Sequence, residues 1–276
     1  MKKVFFLVMF LVFSDIAKAQ EKPGLLITPT RVALEGRSRS AAVSLANNGN
    51  AEGTYAISIV NRRMNEDGSI VVAEEAMEGE RFADKMLRIS PRRVTLKPGQ
   101  HQNVRVLARK PKDLEDGEYR SHMNFTIIPQ DEPTEREQEN INDESDALTI
   151  NIKANFGVTI PVIVRHGEVS ATSEIKDLNI KTDKDGAKNL SFSINRKGNR
   201  SLYGDIFVLY NNAEGKEYIL KSMGGLAVYT PNDKRTFTIK LDVPDGVDIN
   251  KGTIEVQYKE KAKAGGKLLA SSKFEL

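Results

Sequence analysis

The sequence predicts an all-β protein built as two antiparallel sandwiches, and three observations carry that prediction. Apolar and polar residues alternate in short runs with a period of two, the signature of a strand with one buried face. Turn-forming pairs such as Asn48-Gly49, Asp67-Gly68 and Pro98-Gly99 separate the runs. No stretch of useful length keeps the 3.6-residue period of an amphipathic helix.

Taken in order, "LLITPTRVALE" (25–35) reads as a strand interrupted at Pro29, and "SAAVSLANN" (40–48) alternates until Asn-Asn-Gly stops it. "TYAISIVNRR" (54–63) alternates again and meets Asp67-Gly68, a hairpin signal. "MLRIS" and "RRVTL" flank Pro91; "KPGQ" (97–100) turns the chain into "NVRVLAR" (103–109); and "GEYRSHMNFTIIP" (117–129) is a long strand that ends at Pro129. Strands at this spacing suggest a sandwich of immunoglobulin type.

Residues 130–146, "QDEPTEREQENINDESD", break the pattern with eight acids against one Arg, and read as a mobile acidic loop. "ALTINIKANFGVTIPVIVRHG" (147–167) then places Leu148, Ile150, Ile152, Ala154, Phe156, Val158, Ile160, Val162 and Val164 at every second position. A strand over 148–164 would span roughly 58 Å at ~3.4 Å per residue, several times the usual strand of ~5–6 residues. A single sandwich has no use for that length, so either the strand crosses two bodies or part of its apolar face serves something other than the chain's own core. Val158–Val164 are expected to fill the first core, and Leu148–Phe156 to be available elsewhere.

The pattern resets around "RHGE" (165–168). "ATSEIKDLNIKT", "NLSFSIN", "GDIFVLYN", "KEYILK", "GLAVYT", "RTFTIKLDV" and "GTIEVQYKE" supply a second set of strands, punctuated by Asp185-Gly186, Asn211-Asn212 with Gly215, Pro231-Asn232 and Asp245-Gly246. The expected organisation is a first domain over 20–165 and a second β-sandwich over 166–276.

Residues 1–19 are expected to be removed. "MKK" is a basic start, "VFFLVMFLVF" is apolar but short of the ~20 residues of a membrane span, and Ala17-Lys18-Ala19 is a small-x-small cleavage site. Without Lys2, Lys3, Lys18 and Asp15 the chain keeps 38 basic and 37 acidic residues, which is no nucleic-acid footprint. There is no cysteine, so stability rests on packed cores rather than disulfides.

Three stretches in order resemble the PapD-like periplasmic chaperones of pilus and fimbrial assembly. They are "ITPTRVALEG" (27–36) with its Thr-Arg pair, "LRISPRRVTLKPGQHQNVRV" (87–106), and "LTINIKANFGVTIPVIVR" (148–165). The resemblance is close over 25–165 and only architectural over 167–276, where the family's Asn-Asp-Tyr-Gly loop has no clear counterpart. It implies two immunoglobulin-like β-sandwich domains in a boomerang arrangement, located in the periplasm after cleavage behind Ala19. It implies a pilus or fimbrial subunit and an outer-membrane usher as partners, without nucleic acid and without membrane insertion. The chaperone would stabilise the subunit by lending it a strand. Leu148, Ile150, Ile152, Ala154 and Phe156 would be the lent side chains. Arg31 would grip the subunit's C-terminal carboxylate, and Arg165 would be an interdomain ion-pair residue. The family's second anchor is a Lys four residues before that last Arg, and Pro161 stands there instead. Anchoring would then rest on Arg31 alone, on another base such as Arg120, or be absent.

No nucleophile elbow, phosphate loop or zinc spacing occurs, so neither catalysis nor a metal or cofactor is expected. His101, His122 and His166 lack ligand spacing. Glu118, Arg120 and His122 share one strand face by alternation; a solvated outer face is the plain expectation, a polar lining of an interdomain cleft the other. The competing function is an exported structural or adhesive protein whose two sandwiches bind a surface partner.

Overall fold

The computed structural model describes residues 22–129 and 157–276. Leu148, Ile150, Ile152, Ala154 and Phe156, the acidic run 130–146 and the leader 1–19 all lie outside the described residues. Among the described residues there is no α-helix, and no helix long and apolar enough to cross a membrane.

Eleven strands make the first body: β1 (Leu26–Thr28), β2 (Val32–Leu34), β3 (Ser40–Ala46), β4 (Gly53–Val60), β5 (Arg62–Met64), β6 (Ile70–Val72), β7 (Leu87–Ser90), β8 (Arg93–Leu96), β9 (His101–Ala108), β10 (Gly117–Ile128) and β11 (Gly157–His166). One sheet runs β1-β3-β9-β7 and the facing sheet β2-β11-β10-β4-β8. The two prolines that interrupt alternation mark changes of sheet. Pro29 lies between β1 and β2, and Pro91 between β7 and β8, and in each case the two strands belong to opposite sheets. A residue with no N–H and a fixed φ suits a place where the ladder must break.

Alternation fills the core from both sides. Val43, Leu45, Val104 and Val106 point inward from one sheet, and Tyr55, Met123, Phe125, Ile160, Val162 and Val164 from the other. Side chains of this kind, fully removed from water, contribute roughly 1.5–3 kcal/mol each. Asp67-Gly68 forms the expected hairpin between β5 and β6, Gly68 taking the left-handed φ of 85°.

The second body holds β12 (Ala171–Thr182), β13 (Lys188–Gly198), β14 (Leu202–Asn211), β15 (Glu217–Val228), β16 (Lys234–Lys240), β17 (Thr253–Glu260) and β18 (Leu268–Glu275). Its sheets run β12-β13-β16 and β15-β14-β17-β18. Leu190, Phe192 and Ile194 face Ile206, Val208, Ile254, Val256 and Tyr258, and Phe192 stacks on Phe237 at 5.0 Å between centroids. An all-β chain of two β-sandwiches is therefore what the residues build, in agreement with the patterning.

The two bodies meet through side chains and backbone. Met64, Ile163, Ala227 and Tyr229 form a small apolar cluster of their own, with Tyr203 against it. From the β5–β6 hairpin, the Met64 carbonyl accepts from Asn232 Nδ2 at 2.8 Å and the Glu66 carbonyl from the Thr236 N–H at 2.8 Å.

Candidate functional site

The register of the second sheet places the singled-out residues on one face. β2 runs parallel to β11 with Val32, Ala33 and Leu34 beside Val162, Ile163 and Val164. β10 runs antiparallel to β11 with Glu118, Arg120 and His122 opposite Arg165, Ile163 and Pro161. Because neighbours along a strand point to opposite faces, the face away from the first core carries three rows. Glu35, Arg165 and Glu118 form one, Ala33, Ile163 and Arg120 the next, and Arg31, Pro161 and His122 the third.

This face is not solvated. Glu118, Arg120 and His122 retain 3%, 5% and 3% of their exposure, so the plain expectation of a water-facing strand is overturned. The reason is the second body, whose side chains lie on the row. Arg31 sits over the Tyr203 ring at 4.5 Å and Arg120 over the Tyr229 ring at 4.2 Å. These tyrosines had no sequence signal: Tyr203 on β14 and Tyr229 just after β15 lie more than a hundred residues from their arginine partners, and nothing local announces the contact.

The first row is electrically closed. Arg165 donates from Nε to Glu118 at 3.0 Å and from Nη1 to Glu35 at 2.5 Å. Glu118 also accepts the Ser201 backbone N–H at 3.1 Å and the Ser201 hydroxyl, which joins the second body to the first. Burial works against the Arg165 charge, but Glu118 and Glu35 outweigh it and hold the guanidinium protonated. The Arg165 hydrogen bond holds Glu35 below the usual carboxylate range, against the partial burial that raises it.

The other two rows are not closed. Nε and Nη2 of Arg31, Nε and Nη1 of Arg120 and Nδ1 of His122 are buried without a hydrogen-bond partner among the described residues, and Nε of Arg62 shares that condition nearby. The two acids that act on Arg120 are spent elsewhere: Glu118 on Arg165 and Ser201, and Glu80 on Arg63 at 2.5 and 2.7 Å. Burial first, then the charges of Arg120 and Arg62, push the His122 imidazole down to about 3, so it is neutral at ordinary pH. Arg31 opens onto a cleft of ≈ 390 Å³ between the two bodies, also lined by Arg165, Arg200, Ser201, Tyr203 and Lys261. Lys261 pairs with Asp205 at 3.0 Å.

Upstream along β11, the apolar stripe outruns the core. Ile160, Val162 and Val164 are buried, as expected for the first core, but Val158 on the same face is 44% exposed. β2 covers β11 only at Val162–Val164, so Gly157–Pro161 have a described strand on one side alone, β10. Pro161 is tolerated because it stands on this edge stretch.

No curated protein matches the chain. Among solved structures it is similar to the CsuC–CsuE chaperone–tip adhesion subunit pre-assembly complex of the archaic chaperone–usher Csu pili of Acinetobacter baumannii. That likeness has 13% identity and a TM-score of 0.46, over 91% of this chain and 97% of that one. It is also similar to the Salmonella enterica SafA pilin in complex with the SafB chaperone, at 16% identity and a TM-score of 0.44, over 94% and 99% of the two chains. The comparison with families matches residues 24–165 to "Pili and flagellar-assembly chaperone, PapD N-terminal domain". The chain therefore belongs to the PapD-like family of non-enzymatic pilus-assembly chaperones, and carries that family's N-terminal domain over residues 24–165.

Proposed function

We propose that this chain is a periplasmic chaperone that stabilises a pilus or fimbrial subunit by lending it a β-strand, before handing it to an outer-membrane usher. One observation carries the reading: among the described residues the backbone edge of β11 is uncovered by β2 at Gly157–Pro161, and its apolar stripe passes the chain's own core at Val158. An open strand edge offers ladder bonds to an incoming chain, and alternate side chains offer specificity through pockets. Leu148, Ile150, Ile152, Ala154 and Phe156 continue that stripe upstream in sequence. The leader 1–19 delivers the chain for export with cleavage after Ala19, and the working units are the domains 20–165 and 166–276. Arg165 keeps the cleft between them in shape.

The test is co-purification with a candidate subunit. Ile150→Asp and Ile152→Asp are expected to lose the complex while the thermal midpoint of the free chaperone stays within a few degrees of wild type. A complex that survives both changes in a folded chaperone rejects strand lending through this segment.

Arg31 holds the subunit's C-terminal carboxylate in this reading. Its Nε and Nη2 form the side edge of the guanidinium, spaced to meet both oxygens of one carboxylate. Hydrogen bonds to charged groups contribute about 1.5–3 kcal/mol. Arg31→Ala is therefore expected to weaken subunit binding about 10- to 100-fold by calorimetry, and undiminished affinity rejects the anchor.

A further inference from the structure

We infer that the carboxylate site has a second arm on β10, with Arg120 as its charged donor and His122 as its neutral one, replacing the base that Pro161 does not supply on β11. The inference rests on the anchoring role given to Arg31 above and deepens it.

The register sets the geometry. Pro161 is paired with His122 on β10, Arg31 immediately precedes β2, whose pairing with β11 begins one residue further on at Val32 and Val162, and Arg120 is two residues from His122 on the same face of β10. Neighbouring strands lie ~4.8 Å apart, so His122 lies about one strand spacing from Pro161, and Arg31 enters β2 on the other side of β11. Arg31 lies over the Tyr203 ring and Arg120 over the Tyr229 ring, and Tyr203 packs against the cluster that holds Tyr229, so the two guanidiniums share one patch of the second body. A carboxylate seated over Pro161 lies between donors on both sides.

The donors are unspent. A buried polar group without a partner costs the folded chain roughly 1–3 kcal/mol, and more when it is charged. Such groups are rare enough in folded proteins to ask for a reason. Here Arg31, Arg120 and His122 leave five buried nitrogens unpartnered on one patch of one sheet face, among the described residues. In the row beside them Arg165, as buried as Arg120, is matched by two carboxylates. The fold closes one arginine and leaves two open, and an arriving oxyanion closes them. The cover over the two guanidiniums is a pair of tyrosine rings, Tyr203 and Tyr229, so entry requires side-chain rotation rather than breaking a sheet.

A purely structural role, with Arg120 serving only as a strut against Tyr229, makes different predictions. The probes are N-acetylglycine, which carries a chain-end carboxylate, N-acetylglycinamide, which does not, and sodium sulfate. They are titrated into the mature chain at constant ionic strength, followed by the Nε–H resonances of arginine. N-acetylglycine is expected to shift Arg31 and Arg120 together, while the amide leaves both unmoved. Arg120→Met is expected to weaken N-acetylglycine at least about 10-fold and to leave the thermal midpoint of the free chain equal to or above wild type, since it removes a buried charge that has no hydrogen-bonded ion-pair partner among the described residues. Should that variant fail to fold, Arg120→Lys keeps the charge without the planar fork and is expected to weaken the probe severalfold. Unchanged affinity in a folded Arg120 variant overturns the second arm. Sulfate shifting these resonances where N-acetylglycine does not overturns the carboxylate assignment in favour of a free inorganic anion. If Arg31→Ala abolishes probe binding while Arg120→Met does not, the second arm falls and anchoring by Arg31 stands; if neither matters, both fall.

Discussion

Glu118→Ala is expected to destabilise the mature chain by about 3–5 kcal/mol, measured as a drop in urea midpoint. The estimate is that for removing one partner of a buried ion pair. The Glu118 side chain has 0% exposure, and three donors converge on it: Arg165 Nε, the Ser201 N–H and the Ser201 hydroxyl. Alanine leaves Arg165 with Glu35 alone, whose side chain is 55% exposed and holds its charge in water. It also strips Ser201 of its acceptor at the point where the second body joins the first. Loss of that link is expected to separate the unfolding of the two bodies into two transitions. Glu118→Gln keeps the shape and should lie between wild type and Ala. A loss under about 1 kcal/mol for Glu118→Ala would show that the pair is dispensable.

The second large effect is a dependence on pH carried by His122. Its imidazole is held down to about 3 in the folded chain by burial and by the Arg120 and Arg62 charges. In the unfolded chain it titrates near ~6.5. Between those values the unfolded chain binds the extra proton and the folded chain does not. Stability therefore falls as pH drops from about 6.5 towards 3, with a slope approaching ~1.4 kcal/mol per pH unit from this one group. His122→Met is expected to flatten that part of the profile, so that the difference between variant and wild type grows between pH 7 and pH 4. Arg120→Met removes one of the two repelling charges, so the folded imidazole titrates at a higher pH, and the loss is expected to become smaller and to level off at a higher pH than in wild type. Parallel pH profiles for wild type and His122→Met would remove His122 from the account.

These two residues also show where the sequence stops being readable. Strands were legible because alternation depends only on local spacing, and so β3, β9, β10 and β14 fall where the pattern placed them. The changes of sheet at Pro29 and Pro91 were visible as interruptions, since proline breaks a ladder whatever the tertiary context. The polar face of β10 was not legible. Glu118, Arg120 and His122 look like any solvated strand face, because a polar residue facing water and one facing a distant tyrosine share the same alternation. Only the arrival of Ser201, Tyr203 and Tyr229 from the second body makes the difference. Similarly, Asp67-Gly68 announced a hairpin, but that its backbone would meet Asn232 and Thr236 depends on how the two bodies pack together.

That hairpin has a mechanical consequence. The first sandwich is fastened to the second at Glu118 with Ser201, and again through Met64 and Glu66 with Asn232 and Thr236. A single fastening would leave a pivot; two, on different elements, act as a brace. The cleft beside Arg31 is thus held at a set width by two fastenings, and under the function proposed above the entropy lost on capture would fall on the guest and not on the host.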